Sequence, residues 1–91
     1  MRLSGKQIAA ARELLGFSQS DLAAAIGVSR QTIANFEQGI SQPYARTVDA
    51  IRHELERRGI EFTNGSGIGV RLDFAKAEAA SASAVRAANK E

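Results

Sequence analysis

The segment Ser18–Gly39, SQSDLAAAIGVSRQTIANFEQG, constrains the fold of this 91-residue chain more than any other. It reads as two short helices separated by a single glycine turn. Ser18 is an N-cap residue, and Asp21, at the third helical position, places a carboxylate where exposed amides and the helix dipole favour it. Leu22 and Ile26 stand four apart on one face, while Ala23, Ala24 and Ala25 are small enough to let a second helix come close. Gly27 ends the first helix because glycine enters the left-handed region without a steric penalty. Val28 follows as an apolar plug, Ser29 caps the next helix, and Ile33 and Phe36 give that helix its inward face. Gly39 closes the unit.

On the second helix the residues not needed for the core are Arg30, Gln31, Thr32, Ala34 and Asn35. Arginine pairs two donors with guanine, glutamine and asparagine pair a donor and an acceptor with adenine, and threonine and alanine methyls touch thymine. Arg30, Gln31 and Asn35 share an outward face. Two helices joined this tightly are a means of presenting one of them to the major groove of DNA.

The stretch LGFSQSDLAAAIGVSRQTIANFEQG resembles the LGxSQxxLAxxxGVSxxxIxxxExG pattern of the XRE family, the helix-turn-helix domains of the phage Cro and repressor type. The resemblance runs from roughly Gln7 to Leu55. It implies an all-α, lambda-repressor-like bundle of four to five helices that binds double-stranded DNA. Matched position by position, it implies that Gln19 binds phosphate at the start of the first motif helix. It further implies that Arg30, Gln31 and Asn35 read bases and that Gln38 touches the DNA backbone. Ser18, Ser29 and Thr32 are further candidates for phosphate contacts that fix register.

Ahead of the motif, a helix from about Ser4 to Leu15 carries Ile8, Arg12 and Leu15 on one face. A cation on such a face needs a partner, because an unpaired buried charge costs several kcal/mol. Glu37, next to Phe36 and four residues after Ile33, is the candidate; the alternative is that Arg12 reaches solvent along its aliphatic stem. The family resemblance implies the ion pair. A fourth helix is signalled by Pro43, tolerated in a first turn, followed by Val48, Ile51 and Leu55. Tyr44 and Arg46 lie near its start and within reach of a DNA backbone, whereas Arg52, Arg57 and Arg58 read as solvated charges.

After Gly59 the period changes to two: Ile60 and Phe62, the turn residues Asn64-Gly65-Ser66-Gly67, then Ile68, Val70 and Leu72. This predicts a hairpin. A two-stranded unit is marginal alone, so its apolar side chains need cover. A second copy of the chain is the favoured cover, making Ile60, Phe62, Ile68, Val70 and Leu72 dimerisation residues; the alternative is a hairpin folded onto its own domain. The segment LERRGIEFTNGSGIGVRL also resembles a C-terminal extension of small bacterial regulators of this family, where it is associated with self-association.

The rest, 74–91, is rich in alanine and serine and carries only Phe74 and Val85 as large apolar residues. It cannot build a core and is expected to be disordered or partly helical, with a protein partner as one use. The expected organisation is thus a helix-turn-helix domain over 1–58, a strand extension over 59–73 and a tail over 74–91.

Charge argues little. The formal net charge is +2, and residues 1–58 carry eight Lys or Arg against six Asp or Glu, which accounts for all of it. Affinity for DNA would have to come from placed contacts and helix N-termini. There is no cysteine, hence no disulfide framework or thiolate metal site, and neither a membrane-length apolar run nor a signal-peptide pattern. His53 is the sole histidine and reads as a surface residue. The run Gly65-Ser66-Gly67-Ile68-Gly69 lacks the βαβ frame of a phosphate loop. No metal, cofactor or catalytic constellation is expected.

The expectation is therefore a cytoplasmic, nucleoid-associated, homodimeric transcription regulator, with repression by blocking polymerase as the simplest mechanism. Two-fold symmetry implies a pseudo-palindromic operator with half-sites about 10 bp apart or a multiple of that. Two alternatives stay open: an antitoxin or restriction-system or mobile-element controller with a protein-binding tail, and a protein-interaction module that reuses the scaffold.

Overall fold

Serines write three of the helix starts. The computed structural model describes residues 2–80. Its elements are α1 (Gly5–Leu15), α2 (Gln19–Ile26), α3 (Arg30–Glu37), α4 (Ala45–Arg57), β1 (Ile60–Thr63) and β2 (Gly69–Leu72), followed by a helical stretch at 74–80, here α5. The hydroxyl of Ser4 accepts from the Gln7 amide at 3.2 Å, that of Ser18 from Asp21 at 2.9 Å and that of Ser29 from Thr32 at 3.2 Å. Each bond satisfies one of the donors a helix leaves open at its first turn. Gly16 and Gly27, at φ 64° and 74°, stop α1 and α2 in the left-handed region. Helix α4 starts differently. Pro43 lies just ahead of the N-cap residue Tyr44 rather than inside the first turn, and no side chain caps this helix.

The helices enclose one core in which Ile8, Leu22, Ile33, Ile51, Leu55 and Ile60 are fully buried. The N-terminal turn of α1 lies directly on the end of α3: a Cβ on Gly5 would overlap the Phe36 carbonyl and sit 2.7 Å from the Glu37 Cα. Only glycine lets these two backbones meet. Phe17, between α1 and α2, carries the Arg58 guanidinium 4.1 Å above its ring, and Arg58 also pairs with Glu54 at 2.7 Å. Arg58 is therefore a half-buried packing residue rather than the solvated charge its sequence suggested.

The hairpin is antiparallel, with Ile60 opposite Leu72 and Phe62 opposite Val70. It corrects one expectation. Ile60 and Phe62, assigned to a dimer contact, are 1% and 8% exposed and belong to the chain's own core. Val70 and Leu72 are partly buried against the same core. The reason is that α1 and α4 leave an open apolar edge that the inward face of the strands fills, which serves the hairpin as well as a second copy would. Ile68 is the exception, at 59% exposed.

Gln7 ties the hairpin down. Its carbonyl oxygen accepts from the Ser4 amide at 3.0 Å, and its Nε2 faces the Thr63 carbonyl (3.2 Å), the Gly69 carbonyl (3.2 Å) and Asn64 Oδ1 (3.3 Å). Asn64 in turn donates to the Arg2 carbonyl at 2.7 Å. A buried amide is tolerated because its polar atoms are satisfied. At the other end, Asp73 caps α5 through the Lys76 amide at 2.9 Å, and α5 packs on Gly59, where a Cβ would sit 2.9 Å from the Ala77 nitrogen. Of the tail expected to be disordered or partly helical, 74–80 is helix and 81–91 lies outside the described residues. The molecule is thus a helical bundle with a short antiparallel hairpin, the architecture expected from the sequence.

Candidate nucleic-acid interface

The outward face of α3 is built by elimination. Ile33 and Phe36 take the inward face, so Arg30 and Gln31 stand exposed and Thr32 and Asn35 are half-exposed. Ala34 does not join them. At 4% exposed it packs inward, which removes its methyl from the candidates for thymine contact. Gln31 and Asn35, one turn apart, are linked by a 2.8 Å bond from Gln31 Nε2 to Asn35 Oδ1. Among the described residues, the Asn35 amide nitrogen and the Gln31 carbonyl oxygen make no further side-chain hydrogen bond, which keeps a donor and an acceptor available one turn apart.

The remaining predicted residues surround this face. Ser18 and Ser29 are exposed and spend an acceptor each on capping, and the Ser29 and Thr32 hydroxyls lie 3.0 Å apart. Gln38 is exposed at the end of α3, where its own amide closes the helix onto the Ala34 carbonyl at 3.0 Å. Tyr44 is exposed at the start of α4.

Gln19 is held between two helices. Its Nε2 donates to Glu37 Oε1 at 3.0 Å, and its Oε1 accepts from an Arg30 terminal nitrogen at 2.8 Å. Glu37 is also the partner of Arg12: Nε reaches Oε2 at 2.6 Å and a terminal nitrogen reaches Oε1 at 2.7 Å, a forked pair. The other terminal nitrogen of Arg12 donates to the Phe17 carbonyl at 2.9 Å. The hydrogen bonding that Arg12 donates to Glu37, partly opposed by burial, holds the Arg12 guanidinium even more firmly protonated than usual. Arg12 thus turns into the protein rather than out along its stem. The structure brings Arg12, Glu37, Gln19 and Arg30 into one connected chain of hydrogen bonds. Sequence reasoning paired only the first two, because a cation on a core-facing stripe demands a partner, whereas Gln19 and Arg30 read as exposed polar residues with no such demand.

The fold and this face define a helix-turn-helix protein of the DNA-binding class. The model of the helix-turn-helix family HTH_3 matches residues 8–60, more than half of the chain, and the chain belongs to that family, the XRE/Cro-CI type. No curated protein matches the chain. Among the described residues, no helix is long and apolar enough to cross a membrane.

Proposed function

We propose that this chain is a sequence-specific transcription regulator, a repressor, that binds a pseudo-palindromic operator as a homodimer. Arg30, Gln31 and Asn35 read base edges in the major groove; Ser18, Gln19, Ser29, Thr32, Gln38 and Tyr44 hold the phosphates on either side. The observation that carries this reading is the α3 surface. Its exposed side chains are polar readers already tied to neighbours, Gln31 to Asn35 and Arg30 to Gln19. A protein-binding face would instead present large apolar anchors, and α3 has none exposed. Side chains ordered before DNA arrives lower the entropic cost of binding.

Of the five hairpin residues first assigned to a dimer contact, Ile68 is the one that the chain's own core leaves outside, and it is where a second copy would dock. The test is selection of bound duplexes from a random library at about 150 mM salt, with Asn35→Ala in parallel. A two-fold-symmetric motif whose preference for adenine fades in the variant is expected. Salt-sensitive bulk binding without an enriched motif would remove the base-reading role.

A further inference from the structure

We propose that Glu37, besides pairing with Arg12, is a specificity-determining positioning residue: by accepting the Gln19 amide it turns the Gln19 carbonyl oxygen toward Arg30 and sets where that guanidinium stands. The proposal rests on the reading that Arg30 meets a base.

A glutamine amide fills the same volume in either of two orientations, so something outside it must choose. Glu37 chooses here. Its side chain is 6% exposed, and an ionised carboxylate only accepts. With the Gln19 nitrogen toward it, a hydrogen bond forms at 3.0 Å, and the opposite oxygen meets the Arg30 terminal nitrogen at 2.8 Å. The reverse orientation would face oxygen against carboxylate and N–H against guanidinium, losing both bonds.

The carboxylate itself is clamped. Both of its oxygens are bonded to the Arg12 fork, and Arg12 is anchored on the Phe17 carbonyl. Arg30 lies at the far end of this relay with one terminal nitrogen used, leaving the other terminal nitrogen and Nε as the free edge of a planar fork. Fixing one corner of a planar group restricts the direction of its other donors. The same relay leaves Gln19 one N–H for phosphate.

The experiment uses the full chain and compares, base position by base position, the wild type with Arg30→Ala, Glu37→Gln, Gln19→Ala and the double variant Glu37→Gln/Arg30→Ala, each below its melting transition. Arg30→Ala identifies the position that Arg30 reads. At that position alone, Glu37→Gln is expected to lower discrimination by about fivefold or more. In the Arg30→Ala background it should change nothing further there. Because Glu37→Gln also weakens the partner of Arg12, Gln19→Ala supplies the same test with the Arg12–Glu37 pair intact. Its uniform loss of phosphate affinity cancels in the ratio between bases. Loss spread evenly over all positions, or unchanged discrimination in Gln19→Ala, overturns the proposal while leaving base reading standing. If Arg30→Ala alters no single position, base reading by Arg30 fails and the proposal fails with it.

Discussion

The helix pair α2–α3 and the hairpin β1–β2 use polar side chains in opposite ways. On α2 and α3 the helix starts are set locally, Ser18 and Ser29 capping their own helices and Gln31 bonding to Asn35 one turn on, and the cross-helix bonds of Gln19 reach only 11 and 18 residues, to Arg30 and Glu37. At the hairpin the polar contact is long-range, since Gln7 of α1 reaches Thr63 and Gly69, 56 and 62 residues away. The difference teaches where cooperativity resides. The caps and turns of the α2–α3 unit are written in adjacent residues, whereas the hairpin's buried polar anchor comes from Gln7, more than fifty residues earlier in the chain.

The largest effect is expected where the hairpin enters the core. Phe62→Ala removes a buried ring and should cost about 3–5 kcal/mol, a large part of the stability of a small domain. A urea titration followed by circular dichroism reads it. A midpoint close to wild type would show that the hairpin is an ornament on a self-sufficient helical domain. Truncation after Arg58, which discards both Ile60 and Phe62, is accordingly expected to leave the helices molten rather than folded.

Next comes Gln7→Leu, which leaves the Ser4 amide, the Thr63 and Gly69 carbonyls and Asn64 without their partner, at about 1–3 kcal/mol. Amide exchange should quicken in β1 and β2 well before it does in α2 and α3. Equal acceleration everywhere would erase the distinction between long-range and local polar groups.

Smaller again are the caps. Ser29→Ala should cost about 1 kcal/mol and loosen α3, and Asp73→Ala should loosen α5 by a similar amount. Helical chemical shifts at each site report the loss, and fraying that spreads beyond the capped helix would contradict a local role.

The smallest effect concerns acid. Burial of Glu54 opposes its charge, but hydrogen bonds from Arg57 at 2.6 Å and Arg58 at 2.7 Å outweigh it and hold the carboxyl below its usual value. The folded state therefore takes up this proton at lower pH than the unfolded chain. Its stabilisation is complete above the ordinary carboxylate range and is lost as the pH falls through the depressed value. Glu54→Gln should flatten that part of the acid limb in a series of urea midpoints, and an unchanged limb would assign the acid sensitivity elsewhere.

Much of this was legible in the linear chain because the signals are short. Ser18, Gly27 and Ser29 mark their helices by their own backbone chemistry, and alternation after Gly59 announces strands whatever covers them. Other features were not, because their partners are remote. Nothing beside Ala34 says that it packs inward, nothing beside Arg58 says that it rests on Phe17, and period two says which strand face is apolar without saying what will bury it. The hydrogen bond that Arg30 donates to Gln19 is of the same kind.

By itself, the sequence determined the order from α1 to β2, the starts of α1, α2 and α3 and the polar character of the α3 face, since these follow from caps, glycine turns and periodicity within a few residues. Only the tertiary structure decided that Ile60 and Phe62 complete the monomer's own core, that Gln7 fastens the hairpin, and that Arg12, Glu37 and Gln19 end in Arg30. Those choices depend on which distant groups meet, and burial and hydrogen-bond satisfaction act on the meeting rather than on either partner alone.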